Sequence, residues 1–131
     1  MARLELDAGL SSVGAARHWA ADEFLRGDGR GDDHELAVLE LLVTETVSNA
    51  LRHGRGPVSL ELSRDLATGG VHVAVHDGEP SAPVLRDVDD HATGGRGIAL
   101  VDQLAQSWGT DLQGAEGKTV WFDLVPLPAA A

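Results

Sequence analysis

Residues 33–54 read DHELAVLELLVTETVSNALRHG, and this stretch decides the fold. At about 100° per residue, Leu36, Leu39, Val43, Val47 and Ala50 fall on one broad arc. Asp32 or Asp33 can cap the start, good helix formers fill the middle, and Gly54, Gly56 and Pro57 stop it. The spacing therefore predicts a long amphipathic helix from about Asp33 to Arg52. Glu45, Asn49 and Arg52 lie within about 60° of one another, on the side opposite the apolar arc. Two readings of that stripe stay open. It is an ordinary solvated face, or it is a site pointing at the loop mouth His53-Gly54. In the second case the Asn49 carbonyl oxygen suits Mg²⁺, a hard cation that takes oxygen ligands. Glu45, one turn earlier, could then orient or deprotonate a water or hydroxyl attacking a γ-phosphate.

On the N-terminal side of this helix, Arg3–Leu6 reads as a short strand. Ser11 or Ser12 can cap a first helix through Val13, Ala16, Ala20 and Phe24, ending near Leu25. On the C-terminal side the period changes to two. Val58, Leu60 and Leu62 alternate with polar residues, and Val71, Val73 and Val75 do the same after the turn Ala67-Thr68-Gly69-Gly70. That is a hairpin. Asp77–Gly95 has no usable periodicity, and a loop of that length in a compact domain is usually functional. Gly97–Ala105 reads as a short apolar helix. Two final strands, Ser107–Leu112 and Lys118–Val125, flank a turn near Gly114–Gly117. Trp108 and Trp121 are expected to fill core space between them. Strands joined mostly as hairpins predict an α+β fold: a two-layer sandwich of a mixed, mainly antiparallel sheet with helices on one face. One domain over residues 3–125 with a frayed tail at 126–131 accounts for the whole chain.

Composition narrows the function classes. The 131 residues carry 10 basic and 21 acidic side chains, a net charge of −11, and no cysteine. A phosphate-backbone binder would need a basic face, so direct nucleic-acid binding is not expected. Without cysteine there is neither a disulfide framework nor a thiol nucleophile. No apolar run is long enough to span a membrane and the N-terminus is no signal peptide, so the expected compartment is the cytoplasm. His72 and His76 share a strand face, but no third ligand at zinc spacing accompanies them. His53 reads as a helix-end residue favoured by the dipole.

The glycine motifs exclude two familiar phosphate sites. Gly94-Gly95-Arg96-Gly97-Ile98-Ala99-Leu100 opens a helix, where glycines and free amides can form an anion site. A dinucleotide fingerprint would need glycine at Leu100 and a strand directly before the motif. Gly117-Lys118-Thr119 resembles the end of a Walker A loop, but Leu112 stands where its first glycine belongs and a strand follows. Asp77-Gly78, after the strand, is open to two readings as well. The carboxylate accepts a hydrogen bond from an exocyclic amine such as that of adenine, or it caps its own turn.

The order of these elements is more specific than any one of them. Glu45-x-x-x-Asn49 with His53-Gly54, Asp77-Gly78, Gly95-Arg96-Gly97-Ile98-x-Leu100-Val101, then Gly117-Lys118-Thr119-Val120 resembles the ATP-binding domain of gyrase, heat-shock chaperone, histidine kinase and mismatch-repair ATPases. The short form is most similar to the anti-sigma-factor serine/threonine kinases. The resemblance implies ATP and Mg²⁺ as cofactors, with Asn49 holding the metal and Glu45 as the catalytic carboxylate. It implies that Asp77 binds the adenine amino group and that Thr119 supplies a hydroxyl near it. Gly95, Arg96, Gly97 and Ile98 match the phosphate end of a lid formed by Pro80–Gly94. Arg52, His53, Gly78 and Lys118 complete the nucleotide site, and Arg17 matches an arginine that helps phosphoryl transfer. Implied partners are a sigma factor and a small anti-sigma antagonist, with the kinase as a homodimer. One departure stands out. The family's Asp-x-Gly-x-Gly motif would place glycines where Glu79 and Ser81 stand. The alternative that follows is a partner-sequestering module of the same fold that binds nucleotide weakly or not at all.

Overall fold

The computed structural model describes residues 2–6, 11–26, 33–53, 56–65, 69–79 and 97–124. They form β1 (Ala2–Leu6), α1 (Ser11–Leu25), α2 (Asp33–His53), β2 (Val58–Arg64), β3 (Val71–Asp77), α3 (Gly97–Leu104), β4 (Ser107–Leu112) and β5 (Lys118–Leu124). A single turn of 3₁₀ helix at Gly114–Glu116 joins the last two strands. The five strands lie in the order β1-β2-β3-β5-β4, and every neighbouring pair is antiparallel. The sheet is thus wholly antiparallel rather than mixed. The expected tail at 126–131 and the expected lid lie outside the described residues.

Period two on the strands and period 3.6 on α2 meet in one core. Leu62, Val73 and Phe122 form one row across the sheet, and Leu60, Val75 and Val120 form the next. All six are buried, with Leu60, Val73 and Phe122 fully so. Complete burial of such a side chain contributes about 2 kcal/mol of transfer free energy. The α2 helix packs on β2, β3 and β5 with α1 and α3 beside it, so all three helices cover the same face. Leu39, Leu42, Val43, Thr46, Val47 and Ala50 are its buried residues. The apolar arc is wider than the sequence pattern drew it, because Leu42 and Thr46 belong to it. Thr46 is tolerated there because its hydroxyl donates to the Leu42 carbonyl at 2.7 Å.

The other sheet face carries no helix among the described elements. Trp121 lies there, opposite Ala74 and Gly109 in register, not in the core where it was expected. A Cβ on Gly109 would sit 2.8 Å from the Trp121 ring, so the indole lies flat across that glycine. His72 stacks on the same ring with centroids 5.6 Å apart. Trp108, by contrast, faces the helices and packs against the core, with its Nε1 donating to Asp102 at 2.9 Å.

Candidate functional site

β3 runs two residues beyond Val75, so Asp77 is the last residue of the strand rather than the start of a loop. Its register partner is Lys118, the first residue of β5. Strand alternation puts both side chains on the helix-covered face, one row beyond Val75 and Val120. Lys118 Nζ lies 3.0 Å from Asp77 Oδ1, with the side chains 5% and 2% exposed. The same Oδ1 accepts the backbone N–H of Glu79 at 2.7 Å. Asp77 therefore does cap its own turn, and it also holds a buried cation.

α2 brings Asn49 to this pair. Thr46, Asn49, Ala50, Val75, Asp77, Lys118 and Val120 surround a cavity of about 10 Å³. Asn49 falls about 20° from Leu42 by helical periodicity, at the margin of the buried arc and not opposite it. Glu45 sits one turn earlier and is half-buried, while Arg52 is exposed one turn later. Thr46 has no mark in the sequence pattern, and Val75 and Val120 stand there only as strand and motif positions, not as walls of a site. The alternation that buries Val120 and Phe122 was the available signal for this face.

The sheet also separates residues that the motif order had joined. Thr119 points to the helix-free face, where its Oγ1 lies within hydrogen-bonding distance of His76 Nδ1 at 3.1 Å and donates to Gln113 at 3.4 Å. Strand alternation makes Lys118, not Thr119, the neighbour of Asp77. Arg17 is half-exposed on α1. Gly78 follows Asp77 directly, and Gly117 packs against both, since a Cβ there would lie 2.0 Å from the Asp77 carbonyl oxygen and 2.6 Å from Gly78 Cα. Gly97 begins α3. Gly95 and Arg96 lie outside the described residues, and for His53 and Ile98 only the helical backbone is described.

Residues 6–124 match the family of histidine kinase-like ATPase domains. The chain belongs to that family. Two solved structures share the fold, both of the blue-light activated histidine kinase from Erythrobacter litoralis. Its histidine kinase domain is 24% identical, with a TM-score of 0.51 over 88% of this chain and 61% of that one. A longer form of the kinase is also 24% identical, with a TM-score of 0.54 over 96% of this chain and 46% of that one. The ATPase-like domain thus spans less than two thirds of either kinase chain. Among curated protein sequences none matches it.

Membership of this family implies ATP binding, with Mg²⁺ as the nucleotide's companion. The two ends of the site meet that implication differently. At one end the Asn49 carboxamide is half-buried and offers a neutral oxygen, a suitable single protein ligand for an Mg²⁺ that keeps waters and phosphate oxygens. Among the described residues no group of three or more His, Asp or Glu side chains could hold a metal alone. At the other end the carboxylate is already engaged by a lysine. Asp77 Oδ1 already accepts two donors, and the cavity beside the pair, about 10 Å³, has room for one water among the described residues. No helix among the described residues is long and apolar enough to cross a membrane.

Proposed function

We propose that this protein is a cytoplasmic ATP-binding partner switch of the anti-sigma-factor type, a serine/threonine kinase that phosphorylates a small antagonist protein. One observation carries the reading. A carboxylate and a carboxamide, Glu45 and Asn49, stand one turn apart on α2, and Asn49 opens onto the cavity that ends at Asp77. Bound ATP would supply the phosphoryl group. Asn49 is the residue to hold the accompanying Mg²⁺ through its side-chain oxygen. In this reading Glu45 takes the proton of an attacking hydroxyl, a role that asks only for a carboxylate near the reacting oxygen. The net charge of −11 favours a partner with a basic face, a sigma factor among them, and disfavours DNA itself. A homodimer is the assembly this reading expects.

A second reading is supported by the closed base end: the same fold sequestering its partner with little use of nucleotide. Calorimetry with ATP separates the two. In the kinase reading wild-type protein binds ATP, Mg²⁺ tightens binding, and Asn49→Ala loses the Mg²⁺-dependent part. Label transfer from the γ-phosphate to the antagonist then disappears in Glu45→Ala. If both proteins bind ATP alike and Mg²⁺ changes neither, Asn49 is not the metal ligand.

A further inference from the structure

Lys118 is the chain's single lysine, and it is buried. An ammonium in such a place has given up most of its hydration, and only a close, well-oriented carboxylate offsets that loss. Asp77 provides it at 3.0 Å. The remaining walls offer the charge little. Val75, Val120 and Ala50 are apolar, the Thr46 hydroxyl donates to its own helix, and Asn49 offers a neutral carboxamide but no charge. The lysine stem is long, unbranched and flexible, so the head group can leave for water without moving the strand.

An ammonium and the exocyclic amine of a purine are both N–H donors, and they compete for the same carboxylate. We propose that Lys118 is an internal occupant of the base pocket and the residue that sets nucleotide affinity and base selectivity in this chain. While its Nζ holds Asp77 Oδ1, the cavity beside the pair is about 10 Å³, room for a water and not for a base, and that oxygen already accepts two donors. Nucleotide binds to the form in which Lys118 has swung out, and the apparent affinity is reduced by the fraction of molecules in that form. The base then takes the space that the lysine head group has left beside Asp77. This inference rests on the nucleotide reading of the site and adds the residue that regulates it.

Two measurements test it. The first is binding of ATP and inosine triphosphate, which carries a carbonyl in place of the amine, to wild type and Lys118→Thr. Circular dichroism and a urea midpoint confirm that the variant is folded. Expected is ATP binding at least about tenfold tighter in Lys118→Thr, with a gain in selectivity for ATP over inosine triphosphate. Wild-type binding of ATP that is unchanged or weakened by the substitution overturns the role of Lys118 and leaves the nucleotide site standing. A wild-type preference for inosine triphosphate also overturns it, because the lysine would then be donating to the base carbonyl from its present position. No binding by either protein removes the nucleotide reading and this inference together. The second measurement uses wild type alone and does not depend on how the variant folds. Reductive methylation followed by peptide mass analysis reads Lys118 directly, without interference from other lysines. Saturating ATP should raise the modification of Lys118 severalfold; equal or lower modification in ATP-bound protein counts against displacement.

Discussion

The strand pair β3–β5 carries two acid–base pairs, one near each end and on opposite faces. Asp77 and Lys118 close the helix-covered end, 3.0 Å apart with side chains 2% and 5% exposed. His72 and Asp123 sit at the other end on the helix-free face, 2.6 Å apart with side chains 45% and 34% exposed. The shorter contact is the less consequential one. Water already solvates His72 and Asp123, so their contact replaces hydration with something of similar worth. Asp77 and Lys118 are out of reach of water while paired, and in that state each depends on the other for its charge to be tolerable. The exposed pair also serves neighbouring groups. Asp123 accepts from Ser107 Oγ at 3.0 Å, and His72 stacks on Trp121. The buried pair faces a cavity shared with Asn49. Burial, rather than distance, separates a surface contact from a pair that can act as a switch.

The largest effect is expected at Gly117, whose backbone packs against Asp77 and Gly78. Its φ is +100°, and an added Cβ would lie 2.0 Å from the Asp77 carbonyl oxygen. Both obstacles are backbone, so no side chain can move to relieve them. Gly117→Ala should lose roughly 4 to 6 kcal/mol, combining a strained φ with overpacking. That approaches the whole stability of a small domain. A urea melt reads it. A loss below about 1 kcal/mol would mean that β5 can shift away from Asp77, and that the pair is less tightly held than its burial implies.

Next comes the pair itself. Lys118→Met keeps the stem and removes the charge, leaving a buried carboxylate with no cation. About 3 kcal/mol should be lost. Asp77→Asn in the same chain keeps an oxygen for the Glu79 N–H and removes the stranded charge. The double variant should therefore regain more than half of the loss. A double-mutant cycle on urea midpoints checks this, with an expected coupling of about 2 kcal/mol. Additive losses would show that the two side chains are solvated separately and that the comparison with His72–Asp123 is one of degree only.

The sequence made the two layers legible because each rests on a local period. The 3.6-residue repeat marked α2, and strict alternation marked β2 and β3 with a glycine turn between them. The site was legible in part. Glu45, Asn49 and Asp77 stand out through spacing and position, and α2 does carry Asn49 to the end of β3. Lys118 stands out as the single lysine, but its partner is not legible locally, because strand register is a long-range property. Asp77 and Lys118 are brought together only by the β3–β5 ladder. Thr119 was assigned to the site on motif order, although alternation from the buried Phe122 and Val120 already directs Lys118 inward and Thr119 outward. Trp121 was misplaced because a large aromatic reads as core. Its neighbours in register, Ala74 and Gly109, are small, and the open face they make is where an indole can lie flat.

The smallest effect belongs to the exposed pair, and it tests the comparison from the other side. The Asp123 carboxylate accepts from the His72 ring, so His72→Ala removes that hydrogen bond and the stacking on Trp121 together. Neither group becomes stranded, because both remain open to water. The expected loss is at most about 1 kcal/mol, and the electrostatic part should shrink as salt is raised. ATP binding should be unchanged, since His72 lies on the opposite face of the sheet from Asn49, Asp77 and Lys118. A urea melt at low and high salt, with calorimetry beside it, measures both quantities. A loss above about 2 kcal/mol, or a change in ATP affinity, would mean that the two ends of β3–β5 are coupled through the strands. In that case the helix-free face would have to be counted as part of the site.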